Sequence, residues 1–217
     1  MIWFSLATTS IFIVINVKTP PQWGFLFFHT LIETAKRTLI LFTFLQLTSC
    51  NFNSEYHNLV ESEIKKGELN NNLILGFSFG MTKQQYYDRC SFLNKNKIIT
   101  VGGYNFNPEQ ILTSTSKKTK KIKMSIVPNF EEKNNIDGLE LRFNFLGWSN
   151  WNTDYQSGVL INQVKDSLIF WLPGNDFIDV NLDGIDKKTF VKVDGNRRIV
   201  LYRLDSKNVI AKINNLK

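Results

Sequence analysis

The sequence predicts an α+β protein in which antiparallel strands form one or more sheets and helices pack on one face of them. Two segments, 82–95 and 154–172, carry apolar residues at the spacing of an amphipathic helix, and short β-like runs follow each of them. Because this order of a helix followed by strands occurs twice, two degenerate copies of one unit are an open alternative, although no residue-level repeat supports a duplication. The 217 residues are 43% hydrophobic and 13% aromatic, which is enough for a substantial core.

The first predicted helix begins at Thr82. Thr82 and Gln85, three residues later, form a capping-box pattern in which each side chain bonds the backbone of the other. Tyr86, Cys90 and Leu93 follow at spacings of four and three residues and therefore share one apolar face. We expect Cys90 to be largely buried on this face and unreactive to thiol reagents in the folded protein.

Three runs after this helix are predicted to be strands. The run 97–106 is interrupted by a Gly-Gly pair, whereas 122–127 and 139–145 alternate apolar and polar residues as half-buried strands do. The segment 134–138, Asn-Asn-Ile-Asp-Gly, is typical of a turn before the last of these strands.

The second predicted helix covers 154–172 and ends at the Pro173-Gly174 pair. Four β runs follow it, and turn residues such as Asp194-Gly195 separate neighbouring runs, as in antiparallel hairpins. These runs are 177–182, 190–193, 198–204 and 209–213.

The first fifty residues have the features of an export signal. A basic pair, Lys36-Arg37, precedes the apolar stretch 38–49, and Cys50 follows that stretch directly. As a helix this stretch would extend about 18 Å, which is too short for a bilayer but suits the apolar part of a signal peptide. The alternative is a buried cysteine after an apolar core strand.

The end of this stretch, Leu47-Thr48-Ser49-Cys50, resembles the lipobox of bacterial lipoproteins. In that family the peptide before the cysteine is removed, the thiol is lipidated and the new amino terminus is acylated. The resemblance implies lipidation of Cys50 and anchoring to a membrane of the cell envelope, the outer membrane rather than the inner one.

This interpretation divides the chain into three parts. Residues 1–49 would be the signal or targeting region, in which 1–30 is either an over-extended gene model or an upstream transmembrane anchor. Residues 50–72 are polar and rich in Asn, so we expect a lipid-anchored tether in which a short helix would be marginal. The globular domain would then cover 73–217.

Two short motifs in that domain resemble those of other exported proteins. The segment 80–85, GMTKQQ, resembles the helix start of small outer-membrane lipoproteins of the SmpA/BamE kind and of β-lactamase-inhibitor-like folds. The segment 193–199, VDGNRRI, resembles the closing strand of a set of uncharacterised exported lipoproteins that also have a GMTK helix. These resemblances imply a location and a fold type, but no activity.

The net charge of +7 is not of the kind that indicates a nucleic-acid partner. Only six of the 26 basic residues are Arg, the side chain whose forked guanidinium suits base edges and phosphates. We therefore expect no nucleic-acid partner.

Residues suited to catalysis are sparse after residue 50. His57 is the one histidine there, and Cys90 lacks a nearby basic pair that would form a thiolate. The segment 179–184, DVNLDG, matches the opening of a calcium loop, but Phe190 stands where a closing carboxylate is needed, so we favour a hairpin turn. We expect no catalytic, cofactor-binding or metal site.

Trp148 and Trp151, with the amides between them, form the candidate ligand surface, because exposed aromatic side chains mark partners. The favoured function is a membrane-tethered, non-enzymatic binding or assembly module with a protein partner in the envelope. The alternative is a glycan-directed enzyme or a carbohydrate-binding protein that uses these Trp residues and surface carboxylates.

Overall fold

One antiparallel sheet organises the chain in the computed structural model, which describes residues 52–102, 106–113, 120–131, 134–180 and 188–216. Within these ranges there are three α-helices and eight strands, so the α+β prediction is confirmed. The helices are α1 (Phe52–Lys66), α2 (Lys83–Lys95) and α3 (Ser157–Trp171). The strands are β1 (Thr100–Val101), β2 (Pro108–Thr113), β3 (Lys121–Phe130), β4 (Ile136–Phe145), β5 (Ile178–Val180), β6 (Thr189–Asp194), β7 (Arg197–Arg203) and β8 (Val209–Asn215).

The order of strands in the sheet is β1-β2-β3-β4-β8-β7-β6-β5. Helix α2 is followed by β1 to β4 and helix α3 by β5 to β8, and within each group neighbouring strands in the sequence pair with each other. The two groups join where β4 pairs with β8, with Leu141 opposite Ala211. The topology is therefore two helix-then-strands units side by side, as the order of predicted elements indicated.

Most buried side chains lie between the sheet and the pair α2 and α3. Leu141 and Phe145 of β4, both fully buried, meet Leu160 and Leu168 of α3 in this core. The strands of this face alternate because every second side chain points to the helices and the others to the opposite face. This alternation is the signal by which β3 and β4 were predicted.

The opposite face of the sheet carries α1, which is where the structure departs from the expectation of helices on one face. Tyr56, Leu59 and Val60 of α1 pack against a smaller cluster that includes Val191 and Val193 of β6. The segment expected to be a tether is therefore a packed helix over Phe52–Lys66. The helix packs there because the side chains of β6 are buried on both faces of the sheet, and α1 covers the face that α2 and α3 do not.

Strand β2 was not predicted, and the predicted strand 97–106 is reduced to the two residues of β1. The sequence of β2, Pro-Glu-Gln-Ile-Leu-Thr, lacks strict alternation and begins with a residue that has no N–H to donate. Pairing with the long β3, not its own pattern, places β2 in the sheet.

Residues Asn51–Lys217 form one compact unit, and both clusters of buried side chains come from within it. The unit therefore contains its own core, and we expect a fragment of residues 51–217 to fold by itself. None of the helices in the described ranges is long and apolar enough to cross a bilayer.

Candidate functional site

A groove with a volume of about 400 Å³ lies between α2 and the edge of the sheet at β1 and β2. We call it the α2 groove. Its twelve described lining residues carry no charged side chain, and many are aromatic or apolar. Among them are Tyr86, Cys90 and Ser91 of α2, Val101 of β1, Phe106 of the following segment and Pro108 of β2.

Hydrogen bonds at both ends of α2 stabilise the helix that forms one wall of the groove. At the beginning, the Thr82 N–H donates to Gln85 Oε1 at 2.8 Å and the Gln85 N–H donates to Thr82 Oγ1 at 3.3 Å, so the predicted capping box is confirmed. At the far end, Asn94 Nδ2 donates to the carbonyl of Ile99 at 3.2 Å. The helix is thereby tied to the segment that leads into β1.

Tyr86 lies at the base of the groove and is only 2% exposed. Its ring stacks on Phe77 with centroids 5.0 Å apart and meets Phe130 edge-on at 5.7 Å. Its hydroxyl interacts with the Cys90 thiol but makes no hydrogen bond to any nitrogen or oxygen of the described residues. Burial raises the pKa of Tyr86, so this hydroxyl keeps its proton and remains a donor.

Cys90 is half-buried and lines the groove, whereas we expected a largely buried thiol. It lies at the edge of the apolar face of α2, so one side of the residue packs on the core and the other side faces the groove. Burial raises the pKa of the Cys90 thiol, and the opposing effect of the neighbouring Tyr86 hydroxyl is smaller. The structure thus contains an accessible but neutral thiol.

We expect maleimide to label Cys90 in the native fragment 51–217 more slowly than in the urea-unfolded fragment at pH 8. Only the thiolate reacts, and a raised pKa means that the thiolate forms only as the pH rises through the higher value. The native rate should therefore keep rising after that of the unfolded chain has levelled off. Rates measured from pH 7 to 10 in both states test this, and a midpoint pH of the native rate profile at or below that of the unfolded fragment would contradict it.

The two Trp residues of the predicted ligand surface lie outside the α2 groove. Trp148 is half-buried, its indole N–H donates to the carbonyl of Ser206 at 3.3 Å, and Lys207 lies 5.4 Å from its ring centroid. Trp151 is 87% exposed. The structure therefore uses Trp148 partly for packing and leaves Trp151 available on the surface.

The calcium-like segment is described only at its beginning. Asp179 belongs to β5 and pairs with Lys188 at 2.7 Å, while residues 181–184 lie outside the described residues. Within the described ranges, no group of three or more His, Cys, Asp or Glu side chains could hold a metal ion. Cys50, the predicted lipidation site, also lies outside the described residues.

The β6–β7 hairpin contains a buried cluster of charges that the sequence analysis did not predict. Lys192 Nζ donates to Asp194 Oδ1 at 2.9 Å, Arg197 Nη2 donates to Asp194 Oδ2 at 3.1 Å, and all three side chains are at most 5% exposed. Asp194 Oδ1 accepts from the Asn175 N–H at 2.7 Å. The DGNR motif therefore connects the hairpin to the segment after α3 and is structural.

The same hairpin also binds α1. The Gly195 N–H donates to Glu63 Oε2 at 2.9 Å, although Glu63 is almost completely buried. Burial acts to raise the pKa of Glu63, but the hydrogen bonds from Gly195, Lys66 and Asn175 outweigh it, so the pKa is lowered. An ionised Glu63 therefore helps to hold α1 on the sheet.

Comparison of the chain with protein-family models, curated proteins and solved structures found no match.

Proposed function

We propose that the protein is a lipoprotein of the cell envelope, anchored through Cys50 to the outer membrane, that acts as a non-enzymatic binding or assembly module. The lipobox-like sequence supports the anchor. The observation that carries the binding role is the α2 groove, because a concave, mostly apolar site with a few polar groups is the usual form of a ligand pocket. We therefore assign the binding surface to this groove.

The chemistry of Cys90 supports binding over nucleophilic catalysis. Its raised pKa keeps the thiol neutral near pH 7, where a catalytic cysteine needs to be ionised. His57 is exposed on α1, which packs on the opposite face of the sheet from α2. It therefore cannot act as a base for Cys90 within this fold.

Carbohydrate binding at Trp151 is the second candidate function. It is favoured by the exposure of this side chain, since a ring that is 87% exposed offers a face on which a sugar can stack. The two candidates differ in the substitution that removes binding. A bulky residue at Ser91 would fill the α2 groove, whereas Trp151→Ala would remove the stacking surface.

Cys50→Ala is expected to abolish incorporation of radiolabelled palmitate and to leave an unprocessed precursor in expressing cells. The reason is that the thiol of Cys50 would be the atom that carries the lipid. Cys90→Ala is the matched control, because it removes the other cysteine of the chain and should leave labelling unchanged. Undiminished labelling of Cys50→Ala would overturn the anchoring proposal, and separation of inner and outer membranes would test the location.

A further inference from the structure

We infer that β2 binds an extended segment of a partner protein, which adds to the sheet as a further antiparallel strand beside residues 110–113. We call this side of residues 110–113 the β2 edge. It is a second binding surface, separate from the α2 groove, and its partner is a polypeptide in extended conformation. The inference rests on the proposed function only for the location of that partner in the cell envelope.

The β2 edge begins where the neighbouring strand β1 ends. Strand β1 pairs with β2 only up to Glu109, whereas β3 pairs with the other side of β2 as far as Thr113. The hydrogen-bonding groups of successive residues point alternately to the two sides of a strand. The Asn107 carbonyl faces β1, since it accepts from the Gly102 N–H at 2.7 Å. The N–H and C=O groups of Ile111 and Thr113 therefore point to this same side, beyond the end of β1.

These outward-pointing groups are unpaired. Among the residues that the structure describes, no backbone group bonds to Ile111 or Thr113 on this side. Ile111 is 47% exposed and Thr113 is exposed as well, so a second chain can approach them. Donors and acceptors that alternate at the spacing of a strand match the backbone of another strand. The β2 edge therefore identifies its partner as an extended polypeptide.

Two neighbouring cavities lie beside the β2 edge, on the face of the sheet that packs against the helices α2 and α3. The first, of about 250 Å³, lies beside Gln110 and Leu112, and the second, of about 390 Å³, lies beside Leu112 and Thr113. Trp171 of α3 lines both. Side chains on one face of an added strand are two residues apart, roughly 7 Å. Successive side chains on this face would thus enter the two cavities, the arrangement by which peptides that extend a sheet gain specificity.

The linings of the cavities indicate apolar side chains at these alternate positions of the partner. Apart from Gln110, the described lining of the first cavity is apolar. Phe170 of α3 lines the second cavity and is 83% exposed, so a side chain placed there would cover an aromatic ring. Asp166 also lines the second cavity and favours a basic residue next to the apolar ones.

A second copy of β2 would fit these cavities less well than such a segment. On this face a copy of β2 presents Gln110 and Leu112, which are two residues apart. The amide of Gln110 would lose its hydration in an apolar cavity without a defined partner, which costs free energy. We therefore assign the β2 edge to a segment of a different protein.

A capped peptide with the sequence Lys-Ile-Thr-Ile-Thr-Lys, in two N-methylated forms, tests this inference on the isotope-labelled fragment 51–217. When the Ile side chains enter the cavities of an antiparallel pairing, the N–H groups of the two Thr face β2 and those of the two Ile face solvent. Methyl groups on both Ile nitrogens should therefore permit binding, whereas methyl groups on both Thr nitrogens remove two hydrogen bonds. We expect the Thr-methylated form to bind about tenfold more weakly or worse. Titrations followed by the amide NMR signals of Ile111 and Thr113 measure both dissociation constants.

Ile111→Pro removes one N–H of the β2 edge and should weaken binding of the Ile-methylated peptide about fivefold, because proline is tolerated where the N–H of an edge strand faces solvent. Asp179→Ala, at the other edge of the sheet, should leave binding unchanged. Equal affinities of the two methylated peptides, the reverse order, or no binding of either would overturn the inference.

The free fragment should be monomeric in sedimentation equilibrium. A dimer that Ile111→Pro dissociates would assign the β2 edge to a second copy of the chain and overturn the choice of partner. The anchoring proposal is decided separately by palmitate labelling of Cys50, so its failure and that of the β2 edge are distinguishable.

Discussion

Replacing Asp194 with alanine is expected to lower the free energy of unfolding by about 3–5 kcal/mol, the usual loss when one partner of a buried ion pair is removed. Lys192 has no exposed side-chain surface and Arg197 only 5%, so both positive charges would stay buried without their shared carboxylate. Their other acceptors are backbone carbonyls, such as those of Asn175 and Asn72, which carry no charge. Urea unfolding of the fragment 51–217 measures the loss.

Asp179→Ala is the control for this prediction. Asp179 also forms an ion pair, with Lys188 at 2.7 Å, but both side chains of that pair are more than half exposed. Water replaces a lost partner at such a site, so the expected loss is below about 1 kcal/mol. Similar losses for the two variants would show that burial of the Asp194 cluster does not determine its contribution.

The second large effect is expected for Gly195→Ala, which should lower the free energy of unfolding by about 3 kcal/mol through backbone strain and overpacking together. Gly195 has a φ of +56°, and a Cβ atom there would lie 2.2 Å from the backbone carbonyl oxygen of Glu68. To relieve this contact, the hairpin or the segment after α1 must move. Either movement would disturb the hydrogen bond from the Gly195 N–H to Glu63.

Gly67→Ala separates these two causes. Gly67 has a similar φ of +68°, but a Cβ atom there would have no neighbour within 4 Å. Its expected loss is therefore only the left-handed backbone strain, about 1 kcal/mol. If both alanine variants lost the same stability in urea, the contact with Glu68 would not matter and the packing of α1 against the hairpin would be looser than the structure shows.

The elements that the sequence predicts well are those whose signals act over a few residues. The start of α2 depends on Thr82 and Gln85, which bond each other's backbone within one turn. The strands β3 and β4 follow from alternation, and the β6–β7 turn from Asp194-Gly195, where Gly195 has the positive φ that such a turn needs. These interactions involve neighbours in the chain, so local sequence is sufficient.

The α2 groove was not predicted, because it depends on residues that are distant in the chain. Trp148 and Trp151 were chosen for their aromatic content, whereas the α2 groove brings together residues from α2, β1 and the segment around Phe106. The prediction that Tyr86 and Cys90 lie on the apolar face of α2 is confirmed. The spacing of residues along a helix does not show how far the sheet covers that face, however. The cover is complete over Tyr86 and only partial over Cys90, so Tyr86 is buried and Cys90 half-buried.

By itself, the sequence of this protein determined the α+β class, the extent of α2, the central parts of β3 and β4, and, apart from β2, the succession of helix and strands in each half. The predicted turn 134–138 was too long, because β4 already begins at Ile136. Only the tertiary structure decided that α1 packs on the second face of the sheet and that Lys192, Asp194 and Arg197 share a buried cluster. Both depend on contacts between residues far apart in the chain, such as Glu63 with Gly195 at a separation of 132 positions. Local patterns cannot specify such partners, because the free energy of burying a side chain depends on which distant surface covers it.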